Sequence, residues 1–188
     1  MSPDVYDAPT RLIHLLLALL GVAALVSGQF ADDYRRAAHP GFDVHSVIGL
    51  ALAAALALRI AWGFFGPAAV RFAQWLPLTR PRLDACAQDL AGLARLRLPH
   101  RPGHQGLAGL VQAIGLCAFA WMAVSGMLLW FYLEPGARAV GWIRTVKELH
   151  EGGQAVAIAY VALHAGAVLI HSLAGDPVWR RMAPWRMH

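Results

Sequence analysis

Charge is scarce in this chain. Only 14% of its 188 residues are Asp, Glu, Lys or Arg, whereas 58% are hydrophobic and the mean hydropathy is positive. Soluble domains carry about 25% charged residues, so the class is integral membrane protein. Cysteine is almost absent as well. Cys86 falls in a long connecting segment and Cys117 in the middle of an apolar run, so no disulfide framework is expected; neither belongs to a C-x-x-C-H motif, which excludes covalent c-type haem attachment. There is no low-complexity tract and no clear internal repeat. The arginines flank apolar runs without interleaved aromatics, so nucleic acid is not an expected partner despite the high pI.

What the chain does have is long apolar runs. Four of them, at about 12–30, 44–65, 107–132 and 149–173, approach the ~20 residues that a bilayer core requires. They take up about half the chain, which predicts one all-α membrane domain over 1–188: a four-transmembrane-helix bundle with no separate soluble domain. The first run is followed by small residues, as in a signal peptide. Its leading segment carries Asp4 and Asp7 against only Arg11, and the run is longer than an ordinary signal core, so a retained helix is expected. Between the second and third runs, Leu83, Cys86, Leu90 and Leu93 make one apolar helical face, predicting an interfacial helix at about 83–96.

Basic residues orient these spans. Arg11, the 66–106 segment and the C-terminal tail together place ten arginines on one side of the membrane, against five basic residues on the other. The positive-inside rule then puts both termini and the 66–106 segment in the cytoplasm, with the chain multi-pass in the membrane.

Nine histidines is a high number for so apolar a chain, and they separate by depth. His14 lies just inside the cytoplasmic start of the first span. His45 and His150 lie at the periplasmic starts of the second and fourth. His164 is deeper on the fourth, and His171 is near its cytoplasmic end. Fourteen residues at 100° each end about 40° short of four full turns, so His150 and His164 share a helix face, about 21 Å apart along the axis. His150 can meet His45 near the periplasm, and His164 can meet His14 towards the cytoplasm. Two imidazole pairs at two levels of a four-helix bundle suit two haems, each iron capped on both faces. Such irons have no open position for substrate, and their chemistry is electron exchange. His171 lies seven residues beyond His164 on nearly the same face, and spacing alone does not choose between them.

Other residues surround this set. Arg11 and Arg59 are candidates to pair with haem propionates, although snorkelling to headgroups would explain them equally well. Gly21, Gly49, Gly109 and Gly126 would let a flat macrocycle approach, and small residues also serve plain helix packing. Trp121, Met122 and Met127 are read as packing. His104 and His171, at the cytoplasmic edge, are candidates for a quinone headgroup or a propionate.

The segments "VYDAPTRLIH", "VHSVIGLALAAALALRIAWGFFG", "GHQGLAGL" and "ELHEGGQAVAIAYVALHAG" resemble, in order and over nearly the whole chain, the bacterial cytochrome b561 family. They are most similar to its branch of hydrogenase-type and dihaem cytochrome b subunits. Leu15 stands where that family often has tryptophan, Ser46 where glutamate is common, and "GHQGLAG" is a looser form of G-H-N-P-L-G-G. The resemblance implies two b haems with ligands at His14, His45, His150 and His164, which selects His164 over His171. It further implies electron transfer between a periplasmic cytochrome or oxidoreductase subunit and the quinone pool, ubiquinone or menaquinone, as part of a respiratory chain.

Two other readings compete. A superoxide:quinone oxidoreductase has a similar fold, and Arg35, Arg36, Arg138, Arg144 and Lys147 could attract the anion, but Asp32, Asp33, Asp43, Glu134, Glu148 and Glu151 on the same side largely cancel them. A histidine-lined metal transporter would need ionisable residues at mid-depth in the first and third spans, which have none.

Overall fold

A computed structural model of the chain describes residues 6–31, 40–101, 105–134 and 136–183. These residues form six α-helices and no strand: α1 (Ala8–Gly28), α2 (Pro40–Phe65), α3 (Phe72–Trp75), α4 (Arg80–Leu93), α5 (Leu107–Tyr132) and α6 (Gly141–Leu173). Short 3₁₀ turns occur at Ala68–Val70 and Val178–Arg181. Helices α1, α2, α5 and α6 have apolar windows of mean hydropathy 1.8 to 2.0, long enough to cross a bilayer. The protein is an all-α, multi-pass membrane protein.

The helix ends differ from the apolar runs for identifiable reasons. Helix α1 begins before its apolar run because Asp7 precedes it as a cap and accepts a hydrogen bond from the Thr10 hydroxyl. Helix α6 begins eight residues before the apolar run, at Gly141, whose φ of +56° only glycine adopts at little cost. Its first two turns are held by the i,i+4 ion pairs Arg144–Glu148, at 2.8 Å, and Lys147–Glu151. A hydropathy reading stops where those charges start. Helix α4 lies three residues earlier than 83–96, with Thr79 as its extended N-cap and Pro81 in its first turn; Leu96, at φ +58°, follows its end. Its expected apolar face divides. Cys86 packs inward together with Asp89, while Leu83, Leu90 and Leu93 are exposed.

The chain forms two compact units, and each long helix contributes to both. The first comprises Met1–Leu12, Arg59–Leu116 and Tyr160–His188. Val70, Trp75 and Cys86 are buried there, and the Trp75 indole donates to the Val70 carbonyl at 3.1 Å. Thr10 accepts from Trp62 Nε1 at 3.0 Å, tying the start of α1 to α2. The buried carboxylate of Asp89 accepts from Arg101 Nε at 2.7 Å and from the Leu107 backbone N–H at 2.9 Å. It thereby caps α5 from a different helix. Gly106, at φ +62°, leaves room for that carboxylate, because a Cβ there would overlap Asp89 Oδ2.

The second unit comprises Ile13–Leu58 and Cys117–Ala159. Ile13, Leu52, Leu56, Ala118 and Ala157 are buried in it, and Met122 packs over Gly153, which has no space for a side chain. Both cysteines are free, Cys86 buried and Cys117 exposed.

Candidate functional site

The second unit encloses a cavity of about 190 Å³ lined by segments of α1, α2, α5 and α6. Its walls are mostly apolar, with Phe42, Leu52, Phe119, Met122 and Leu129 among them. Four glycines, Gly21, Gly28, Gly49 and Gly126, also line it, and at Gly49 an added Cβ would meet nothing within 4 Å. Gly109, grouped with them on sequence grounds, belongs to the first unit.

His45 and His150 face each other in this cavity, with ring centroids 6.2 Å apart and planes 71° apart. Two imidazole nitrogens about 2 Å from one shared metal, on rings about 1.2 Å in radius, put the centroids roughly 6 Å apart. The observed separation therefore suits an ion between the rings. Each ring is also anchored on its other nitrogen. Nδ1 of His45 lies 3.1 Å from Ser27 Oγ, and Nδ1 of His150 lies 2.8 Å from Ser125 Oγ. With Nδ1 engaged, Nε2 is the nitrogen left for a ligand on each ring. Gln29, Lys147, Glu151 and Gln154 supply the charged and amide groups of the lining.

The remaining candidates fall elsewhere. His14 is half-buried on α1 in the second unit, whereas His164 belongs to the first unit, where it is exposed and stacks on Tyr160 with centroids 5.8 Å apart. Arg11 and Arg59, both in the first unit, are 8% exposed, so they lie in the protein interior and not at a lipid surface. Arg11 Nη1 donates to the Ala183 carbonyl at 3.2 Å. The Arg59 guanidinium lies 5.6 Å from the Phe72 ring centroid and 6.0 Å from that of Trp75, and its buried Nη1 has no hydrogen-bond partner among the described residues. A buried cation with an unsatisfied N–H is the donor that an anionic group requires. His171 Nδ1 lies 3.8 Å from Asp176 Oδ2, the oxygen that His100 Nδ1 approaches to 3.3 Å. His104, Arg35 and Arg36 lie outside the described residues.

Sequence reasoning missed Ser27, Gly28, Ser125 and Gln154 as parts of this site. The signal for the serines was slight: a hydroxyl inside an apolar run, twice followed by glycine. It also placed Lys147 only among the charges on the outer surface, whereas this side chain lines the cavity one turn before His150.

No curated protein and no solved structure matches the chain. A family model of prokaryotic cytochrome b561 matches residues 5–185. With that match over nearly the whole length, four spanning helices and an imidazole pair spaced for a metal, the chain belongs to the prokaryotic cytochrome b561 family, membrane cytochromes that bind haem b and transfer electrons.

Proposed function

We propose that this protein is a dihaem cytochrome that carries electrons across the inner membrane between a periplasmic redox partner and the quinone pool. The observation that carries the reading is the His45–His150 pair, 6.2 Å apart in a glycine-walled cavity with both Nδ1 atoms tied off. These two residues would hold one haem, and His14 and His164 the other. The bound haems supply one-electron exchange between ferric and ferrous iron. The chain's part is to present neutral Nε2 atoms, to exclude water with apolar walls, and to compensate the propionates. Arg59 suits that last task at the level of His164, fourteen residues along α2 from His45, as His164 is from His150 on α6. Arg11 joins it from α1. His171 beside Asp176, together with His104, is our candidate for the quinone headgroup.

Electron transfer is favoured over superoxide chemistry by the charges flanking the cavity. Lys147 and Arg144 are each paired with a glutamate on α6, which leaves little net positive charge there to gather an anion.

The test is haem content per chain by pyridine haemochrome on detergent-purified protein. Two b haems are expected in the parent, with one lost in His45→Ala and one in His14→Ala. A single haem in the parent, or retention of both haems in either variant, would overturn the assignment.

A further inference from the structure

His45 and His150 are held in the same way by distant stretches of chain. Val26-Ser27-Gly28 on α1 and Val124-Ser125-Gly126 on α5 have the same sequence. In each, the serine Oγ meets the histidine Nδ1, and the following glycine lies against the same ring. A Cβ at Gly28 would come within 3.4 Å of His45 Cε1, and one at Gly126 within 3.1 Å of His150 Cε1. The chain thus builds the cavity from two helix pairs. In α1–α2 and again in α5–α6, the first helix brings Ser-Gly and the second brings the histidine. The serine and histidine are 18 residues apart in one case and 25 in the other, so no local turn imposes the contact.

The direction of these hydrogen bonds is set by the tautomer of the ring. A serine hydroxyl has one proton. Ser27 donates to the Ala24 carbonyl at 3.2 Å, and Ser125 donates to the Trp121 carbonyl at 2.7 Å, with the Met122 carbonyl at 3.2 Å. This back-bonding to the preceding turn is the usual habit of serine inside an apolar helix. Towards the ring, Oγ can then only accept. A neutral ring that binds iron through Nε2 carries its proton on Nδ1, where the serine oxygen accepts it beside the Ala24 carbonyl for His45 and the Met122 carbonyl for His150.

We propose that Ser27 and Ser125 are paired positioning residues that act through His45 and His150: each fixes the Nδ1–H tautomer of its ligand and strengthens donation from Nε2 to the iron, while Gly28 and Gly126 admit the rings at close range. The proposal rests on His45 and His150 being axial ligands. Hydrogen bonding to the far nitrogen of a ligating imidazole raises its basicity. Stronger donation favours ferric over ferrous iron, so removing either hydroxyl raises the midpoint potential of that haem. Because the two supports are alike, both removals act with the same sign and to a similar extent.

The experiment is a spectroscopically monitored redox titration of the haem-loaded, full-length protein in detergent, with haem content measured on each sample. Ser27→Ala and Ser125→Ala are each expected to raise one of the two haem potentials and leave the other in place, and Ser27→Thr and Ser125→Thr to restore it. Ser172→Ala is the control, since Ser172 lies outside this cavity and gives its hydroxyl proton to the Val168 carbonyl at 2.8 Å; its potentials should match the parent. Unchanged potentials in both alanine variants, with haem retained, would overturn the proposal. So would an equal shift in Ser172→Ala. If an alanine variant loses the haem instead, recovery by threonine supports the assignment and failure to recover overturns it. His45→Ala separates the two levels of argument: if it keeps both haems the ligand assignment has failed, and if it loses one while the serine variants keep the parent potentials, only the positioning role has failed.

Discussion

At the scale of single residues, the cavity depends on what is missing as much as on what is present. Gly49 faces open space, since nothing lies within 4 Å of where its Cβ would be, yet it lines the cavity between His45 and His150. An alanine there fits. A leucine would extend its branched end into the open space at this wall of the cavity. Gly49→Leu is therefore expected to retain the helical circular dichroism and monodispersity of the parent while losing the haem of that level, and Gly49→Ala to retain the haem; pyridine haemochrome measured beside gel filtration distinguishes these outcomes. The four histidines stood out in the sequence because an imidazole in an apolar run is costly unless something holds it. The serines did not stand out, because a hydroxyl in such a run can satisfy itself on the preceding turn and needs no site to explain it. Gly21, Gly49 and Gly126 were recognisable as candidates, whereas Gly28, at the small-residue end of the first run, read as part of a possible cleavage signal.

At the scale of elements, helix termini carry information that apolar runs do not. Helix α5 starts where it does because Asp89, on α4, accepts the Leu107 N–H and simultaneously binds Arg101. The carboxylate is only 6% exposed, so its removal strands a backbone donor and loosens the α4–α5 connection. Asp89→Ala should lower stability by about 1–3 kcal/mol, the cost of leaving buried polar groups unsatisfied. Denaturant unfolding of the detergent-solubilised protein would measure it, and a change below about 0.5 kcal/mol, the scatter of ordinary surface substitutions, would show that the cap contributes nothing. In the sequence, Asp89 is simply a residue outside the Leu83, Cys86, Leu90 and Leu93 set. Helical periodicity identified a helix there and came within three residues of its ends, but it does not distinguish a solvated carboxylate from one that caps a neighbour. The early start of α6 has the same origin. Its first turns are stabilised by Arg144–Glu148 and Lys147–Glu151, which hydropathy counts against a span even as they support the helix.

At the scale of the whole molecule, orientation rests on the distribution of arginine. Ten of the basic residues belong to the N-terminal arm, the 66–106 segment and the tail, against five on the other side. We therefore expect a green fluorescent protein fused after His188 to fluoresce, and alkaline phosphatase at the same place to be inactive. Phosphatase inserted between α5 and α6 should be active. The reverse pattern would exchange the faces at which the proposed partner and the proposed quinone meet the protein, without altering the pairing of His45 with His150.

The amino-acid sequence by itself determined the membrane class, the four spans, the family and the spacing of the histidines along their helices, because hydropathy and helical rise are properties of the chain taken one residue after another. Only the tertiary structure decided that His45 and His150 share one cavity, that Ser27 and Ser125 hold their Nδ1 atoms, and that Arg11 and Arg59 turn inward instead of snorkelling to headgroups. Those outcomes depend on the rotation of each helix about its own axis. That rotation is set by side chains packing from segments far away in the chain, and an apolar helix with a weak amphipathic bias leaves it open until its neighbours are in place.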